Sequence, residues 1–144
     1  MTILKELQVY AKKCISGEII SCQKHKWACE RFLKDIEKTE LEDYPYYWDE
    51  DAAQNIVDWF ALLKHSKGVL AGQPIILTTW QKFRLCQLYG WKKKTTGYKR
   101  FKKSFTEVAR KNAKSQEEAG VALYEISVMA TKNQETYEFF IQRE

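Results

Sequence analysis

The 144-residue chain has no apolar run near the roughly 18 residues that a membrane span needs, and its start, MTILKELQVYAKK, is too polar for a secretory signal. No pair of its four cysteines, Cys14, Cys22, Cys29 and Cys86, has the two-residue spacing of a zinc knuckle or a redox pair. They read as free thiols, as in a reducing cytoplasm. The only histidines, His25 and His65, form neither HxxxH nor HExxH and read as helix-surface residues. No internal repeat, low-complexity stretch or flexible linker interrupts the chain, which has the length of one ordinary domain.

What is present is unevenly distributed. Residues 1–72 carry 10 basic and 12 acidic side chains, a net of −2, whereas residues 73–144 carry 14 and 7, a net of +7. A polyanion would therefore meet the second half. Within it, Lys92, Lys93, Lys94, Lys99, Arg100, Lys102 and Lys103 occur without one acid among them and are the nucleic-acid candidates, with Tyr98 and Phe101 available for stacking. The opposing reading of this segment is a solvated loop.

The first half reads as helical. Ile3, Leu4, Leu7, Ala11, Cys14 and Ile15 recur at helical spacing and stop at Gly17. A second helix follows Ser21, with Trp27, Phe32, Leu33 and Ile36 as its stripe. A third follows Asp49, a natural N-cap, and runs to a stop near Gly68. Tyr44, Tyr46, Tyr47 and Trp48 read as a loop packed on these helices, and most of the tryptophans as core. Past residue 73 the pattern changes. Pro74 to Leu77 is a short apolar run, and Thr78-Thr79 caps a helix from Trp80 that ends at Gly90. Residues 101–109 then predict a strand. Lys114 to Glu125 predicts a helix with Ala119, Ala122, Leu123 and Ile126 on one face, and 134–143 a last one.

Between that strand and helix lies EVARKNAKS, residues 107–115. Strand, polar turn, helix is the setting of a phosphate loop, GxxxxGK[ST]: glycines let backbone N–H groups wrap phosphates, the lysine reaches the terminal phosphates and the hydroxyl holds Mg²⁺. Lys114 and Ser115 fit, while Val108 and Ala113 stand where the two glycines would be. If residue 113 must adopt a positive φ, alanine costs on the order of 1 kcal/mol relative to glycine. Taken alone, Ala-Lys-Ser is a weak match, and such a lysine is more often a solvated charge at a helix start.

Its surroundings are more specific. The order PIILTTWQ (74–81), a short helix ending YGW (89–91), a basic segment, EVARKNAKS and AGVALY (119–124) closely resembles the large terminase subunits of tailed bacteriophages, as does YYWDEDAAQNIVDWFALLKHSKGVLAGQPI upstream. The resemblance spans about residues 25–140. It implies an α/β fold in which residues 1–72 form a helical N-terminal lid region and residues 73–144 the truncated start of a P-loop NTPase domain, part of a motor that drives DNA into a procapsid. It further implies ATP and Mg²⁺ as cofactors, with Gln81 at the adenine base and Arg110, Lys111, Asn112, Ala113, Lys114 and Ser115 around the phosphates. Lys114 would contact the β- and γ-phosphates, Ser115 would hold Mg²⁺, and Arg110 would be the catalytic arginine that stabilises charge during hydrolysis. Double-stranded DNA, a terminase small subunit, the portal or procapsid and further copies of the chain are the implied partners. The implied setting is the bacterial host cytoplasm, with a phage or prophage gene and no membrane.

Two parts of that machinery are missing from the sequence. No apolar strand ending in an acid follows Ser115 to hold Mg²⁺ through water or to activate the attacking water, and the clustered acids of the nuclease are absent. The chain stops inside a helical pattern, as a truncation would. Three readings therefore stand side by side: a terminase ATPase portion inactive alone, a stand-alone basic nucleic-acid-binding module, or a regulatory fragment that pairs with a complete terminase.

Overall fold

The first helix starts and stops for local reasons, and the third starts for one. In the computed structural model, which describes residues 1–109 and 112–129, α1 spans Ile3–Ser16. The Thr2 hydroxyl accepts from Lys5 N at its start, and Gly17, left-handed at φ 88°, closes its end. Helix α2 spans Gln23–Lys38 and packs on α1 as a hairpin. Helix α3 spans Glu50–Leu62, capped by Asp49, whose carboxylate accepts from Ala52 N at 2.9 Å. Its neighbour Glu50 accepts from Leu4 N and from Trp48 Nε1, which ties the start of α3 to the start of α1.

Helix α4 spans Thr79–Gly90 and packs most extensively on α3. It opens with a capping box: Gln81 Oε1 accepts from both Thr78 N and Thr78 Oγ1. Its last residue is glycine because of crowding: a Cβ at position 90 would lie 2.8 Å from Trp48 Cη2 and 3.1 Å from the Ala53 methyl. The chain continues directly into a short strand, β2 (Trp91–Lys93), which pairs antiparallel with β1 (Tyr46–Trp48), Trp48 opposite Trp91. Helix α5 spans Lys114–Tyr124 and runs into a π-helical turn, Glu125–Met129.

One core holds these elements together. Phe32, Phe60, Phe83, Tyr89 and Trp91 are fully buried, and the rings meet edge to face, as aromatic quadrupoles prefer: Phe32 on Phe83, Trp48 on Trp91, Tyr89 on Tyr124. Residues on both sides of position 72 contribute to it.

Several expectations need correction. The strand expected at residues 101–109 is absent: this segment has no regular structure, and Phe105, which should face a core, is 86% exposed. A strand needs a neighbour to satisfy its backbone, and the two-stranded β1–β2 sheet does not extend to these residues. The fold is a small, helix-dominated α/β arrangement, and among the described residues the parallel sheet of a P-loop domain is not seen. The aromatic cluster before α3 is strand β1 rather than a loop. Helix α3 ends at Leu62, short of Gly68. Trp27 is 58% exposed and no part of the stripe of α2.

Neither histidine is an ordinary helix-surface residue. His25 is half-buried in a hydrogen bond with Tyr10, and His65 sits in the loop after α3. On α5 the buried face is Glu117, Gly120, Val121 and Tyr124, while Leu123 and Ile126 point outward. Gly120 explains the reversal. A Cβ there would lie 2.5 Å from the Phe60 ring, so glycine admits α3 to this side, where Trp59 Nε1 donates to Gly120 O at 3.0 Å. The helix expected at 134–143 lies outside the described residues.

Candidate functional site

The loop before α5 turns on Ala113. It has φ 57° and ψ 17°, the sole non-glycine residue with positive φ among those described, and it occupies the N-cap of α5. This is the position where the phosphate-loop pattern carries glycine. A left-handed residue ahead of a helix start also gives the concave run of backbone N–H groups that anions occupy. The strain of about 1 kcal/mol that alanine bears there is held by local bonds: Glu117 N donates to Ala113 O at 3.0 Å, and Asn112 Nδ2 donates to Ala109 O at 2.9 Å. Lys114 and Ser115 follow in the first helical turn, both exposed. Arg110 and Lys111 lie outside the described residues.

One turn further on, Glu117 is 6% exposed and joins α5 to α4. Its carboxylate pairs with the Arg84 guanidinium and accepts from Gln81 Nε2 at 3.1 Å. Arg84 lies in turn over the Trp80 ring, 4.8 Å from its centroid. Burial holds the Arg84 pKa below its ordinary value, with nearby Glu118 opposing the shift. Gln81, expected at the base, is therefore one helical turn from Lys114 despite 33 residues of sequence between them. Yet both lone-pair directions of its oxygen and one N–H are engaged internally. Sequence reading missed the Gln81–Glu117–Arg84 network. Half of it was legible: Thr78-Thr-Trp-Gln81 has the capping-box spacing. The other half, a glutamate two residues beyond Ser115, has no signature.

The basic segment divides in two. Lys99 is buried against Glu125 at 2.6 Å, which also accepts from Tyr89 Oη, and Lys99 Nζ lies 4.5 Å from the Tyr89 ring centre. Arg100 Nη1 donates to Asp35 at 2.8 Å and to Tyr44 Oη at 2.9 Å, and its guanidinium stacks between Tyr46 and Phe101. Burial raises the Tyr44 pKa, helped by its hydrogen bond with Asp35 and opposed by Arg100. Lys92 is buried in β2 and Lys93 half-buried. Of the seven candidate cations, Lys94, Lys102 and Lys103 are exposed. Phe101, counted as a stacking ring, is already covered by Arg100 and by Arg31 at 5.1 Å.

The start of α5 is thus joined through the buried Glu117 carboxylate to the capped start of α4. Residues 79–139, from the first turn of α4 onward, match the family model of the terminase large subunit, ATPase domain. Over that stretch the chain is similar to the ATPase domain of terminase large subunits. No curated protein and no solved structure matches the chain. Among the described residues no helix is long and apolar enough to cross a membrane.

Proposed function

We propose that the chain is the lid and phosphate-loop portion of an ATP-driven DNA-packaging motor, with residues 1–72 as the lid region and residues 73–144 opening a P-loop ATPase domain. ATP phosphates sit at the start of α5, where Lys114 contacts the β- and γ-phosphates, Ser115 holds Mg²⁺ and Arg110 stabilises charge during hydrolysis. The observation that carries this reading is the left-handed Ala113 immediately ahead of the exposed Lys114 and Ser115. A mere basic turn has no reason to hold an alanine in that conformation. The partners are those of packaging: duplex DNA, a small subunit, the portal or procapsid and further copies of the chain, in the host cytoplasm.

Gln81 meets the adenine base through its remaining N–H, or by exchanging its bond to Glu117 for one to the base, so base binding and the α4–α5 link are coupled. Residues 1–144 alone bind nucleotide without turning it over, because no carboxylate after Ser115 follows an apolar strand to polarise water. The basic segment serves the fold more than DNA, since Lys99 and Arg100 are drawn into ion pairs. The test is Gln81→Ala, checked to be folded. ATP should weaken several-fold more than pyrophosphate, which has no base, whereas equal losses for both ligands would remove Gln81 from the site.

A further inference from the structure

We propose that Cys14, His25 and Cys29 form a binding site for a borderline-soft divalent cation, zinc above all, clipping α1 to α2. The ligand atoms of the three residues all lie within 4.8 Å of one another. Around a tetrahedral zinc with Zn–S bonds of about 2.3 Å, two sulfurs sit about 3.8 Å apart, so small side-chain rotations close the site. The sequence hides it because the ligands come from two helices. His25 and Cys29 are four residues apart and share one face of α2. Cys14 joins them from the buried face of α1, which the turn at Gly17 folds back along α2.

The surroundings fit an ion. Both thiols are fully buried, and Cys14 lies beside Cys29 and the Tyr10 hydroxyl. That hydroxyl is 3.0 Å from His25 Nε2, so four polar groups converge in an otherwise aromatic and aliphatic core. Two thiolates and one dication make a neutral centre, which burial tolerates far better than a lone charge. On binding, two S–H bonds break, two metal–sulfur bonds form, and two protons leave to solvent, with no change of oxidation state. Tyr10 also lines an open cavity of about 480 Å³ between the ends of α1 and α4, walled by Val9, Ile20 and Trp80.

The probe is cobalt(II), added to the reduced, metal-free chain. One equivalent should give the visible bands of a tetrahedral ion together with thiolate-to-cobalt charge transfer, both bleached by zinc. His25→Gln should weaken binding at least tenfold, and Cys22→Ser should change nothing, because Cys22 is exposed and outside the cluster. The doubly substituted Cys14→Ser, Cys29→Ser chain should lose the charge-transfer bands. Because that chain could fail to fold, alkylation of the unsubstituted protein is the companion measurement: zinc should slow modification of Cys14 and Cys29 at least tenfold and leave Cys22 unaffected. Absence of charge-transfer bands in the unsubstituted chain, their survival in the double variant, or alkylation indifferent to zinc would each overturn the proposal. This inference is independent of the nucleotide reading.

Discussion

A positive φ at alanine makes a testable demand on a single residue. Ala113 at φ 57° places its Cβ against the following carbonyl, a conformation that glycine adopts freely. Ala113→Gly should therefore be neutral to stabilising, by up to about 0.6 kcal/mol once the extra entropy of unfolded glycine is deducted. The melting temperature should hold or rise, by up to about 2 °C. A lower melting temperature would show that residue 113 is not left-handed in solution, and the argument for the phosphate turn would go with it. The sequence posed this question without answering it, since nothing in EVARKNAKS fixes the sign of φ at its alanine.

At the scale of elements, α5 meets α3 closely at Gly120, where Phe60 fills the space a side chain would need. Gly120→Ala should force α3 and α5 apart and cost about 1–3 kcal/mol, read as a fall in the denaturation midpoint. A neutral outcome would mean that the helix presents another face. The reading of the elements failed here for the same reason. Ala119, Ala122, Leu123 and Ile126 look like the apolar face by composition, but packing follows the surface that lets two backbones close in. The stop of α1 and the starts of α3 and α4 were legible because they are chemical: Gly17 adopts the left-handed turn, and Asp49 and Thr78 cap. The strand at 101–109 was not, because alternation indicates a strand only where a neighbouring strand supplies hydrogen bonds. The thiol cluster escaped notice because ligand spacing within one segment says nothing about two helices laid side by side.

For the whole molecule, the charge imbalance of the second half survives only partly at the surface. Lys99 and Arg100 are held by Glu125 and Asp35, Lys92 is buried and Lys93 half-buried, which leaves Lys94, Lys102 and Lys103 as the exposed cations of the run. Each phosphate neutralised contributes about 0.9 to the slope of log affinity against log salt. This segment should therefore give a slope no steeper than about −3, and the triple Lys94→Gln, Lys102→Gln, Lys103→Gln variant should abolish it. A slope near −6 would put the whole run against DNA and contradict the packing.

The central claim is that the start of α5 holds nucleotide phosphates. It is tested most directly by calorimetric titration of Mg²⁺-ATP into the unaltered chain and into Lys114→Ala, with released phosphate followed in the same samples. Lys114 is exposed, so the substitution leaves the fold intact. Saturable binding to the unaltered chain, at least tenfold weaker in Lys114→Ala and with no phosphate release by either, is the predicted result. Binding of equal strength in both proteins, or none in either, would contradict it.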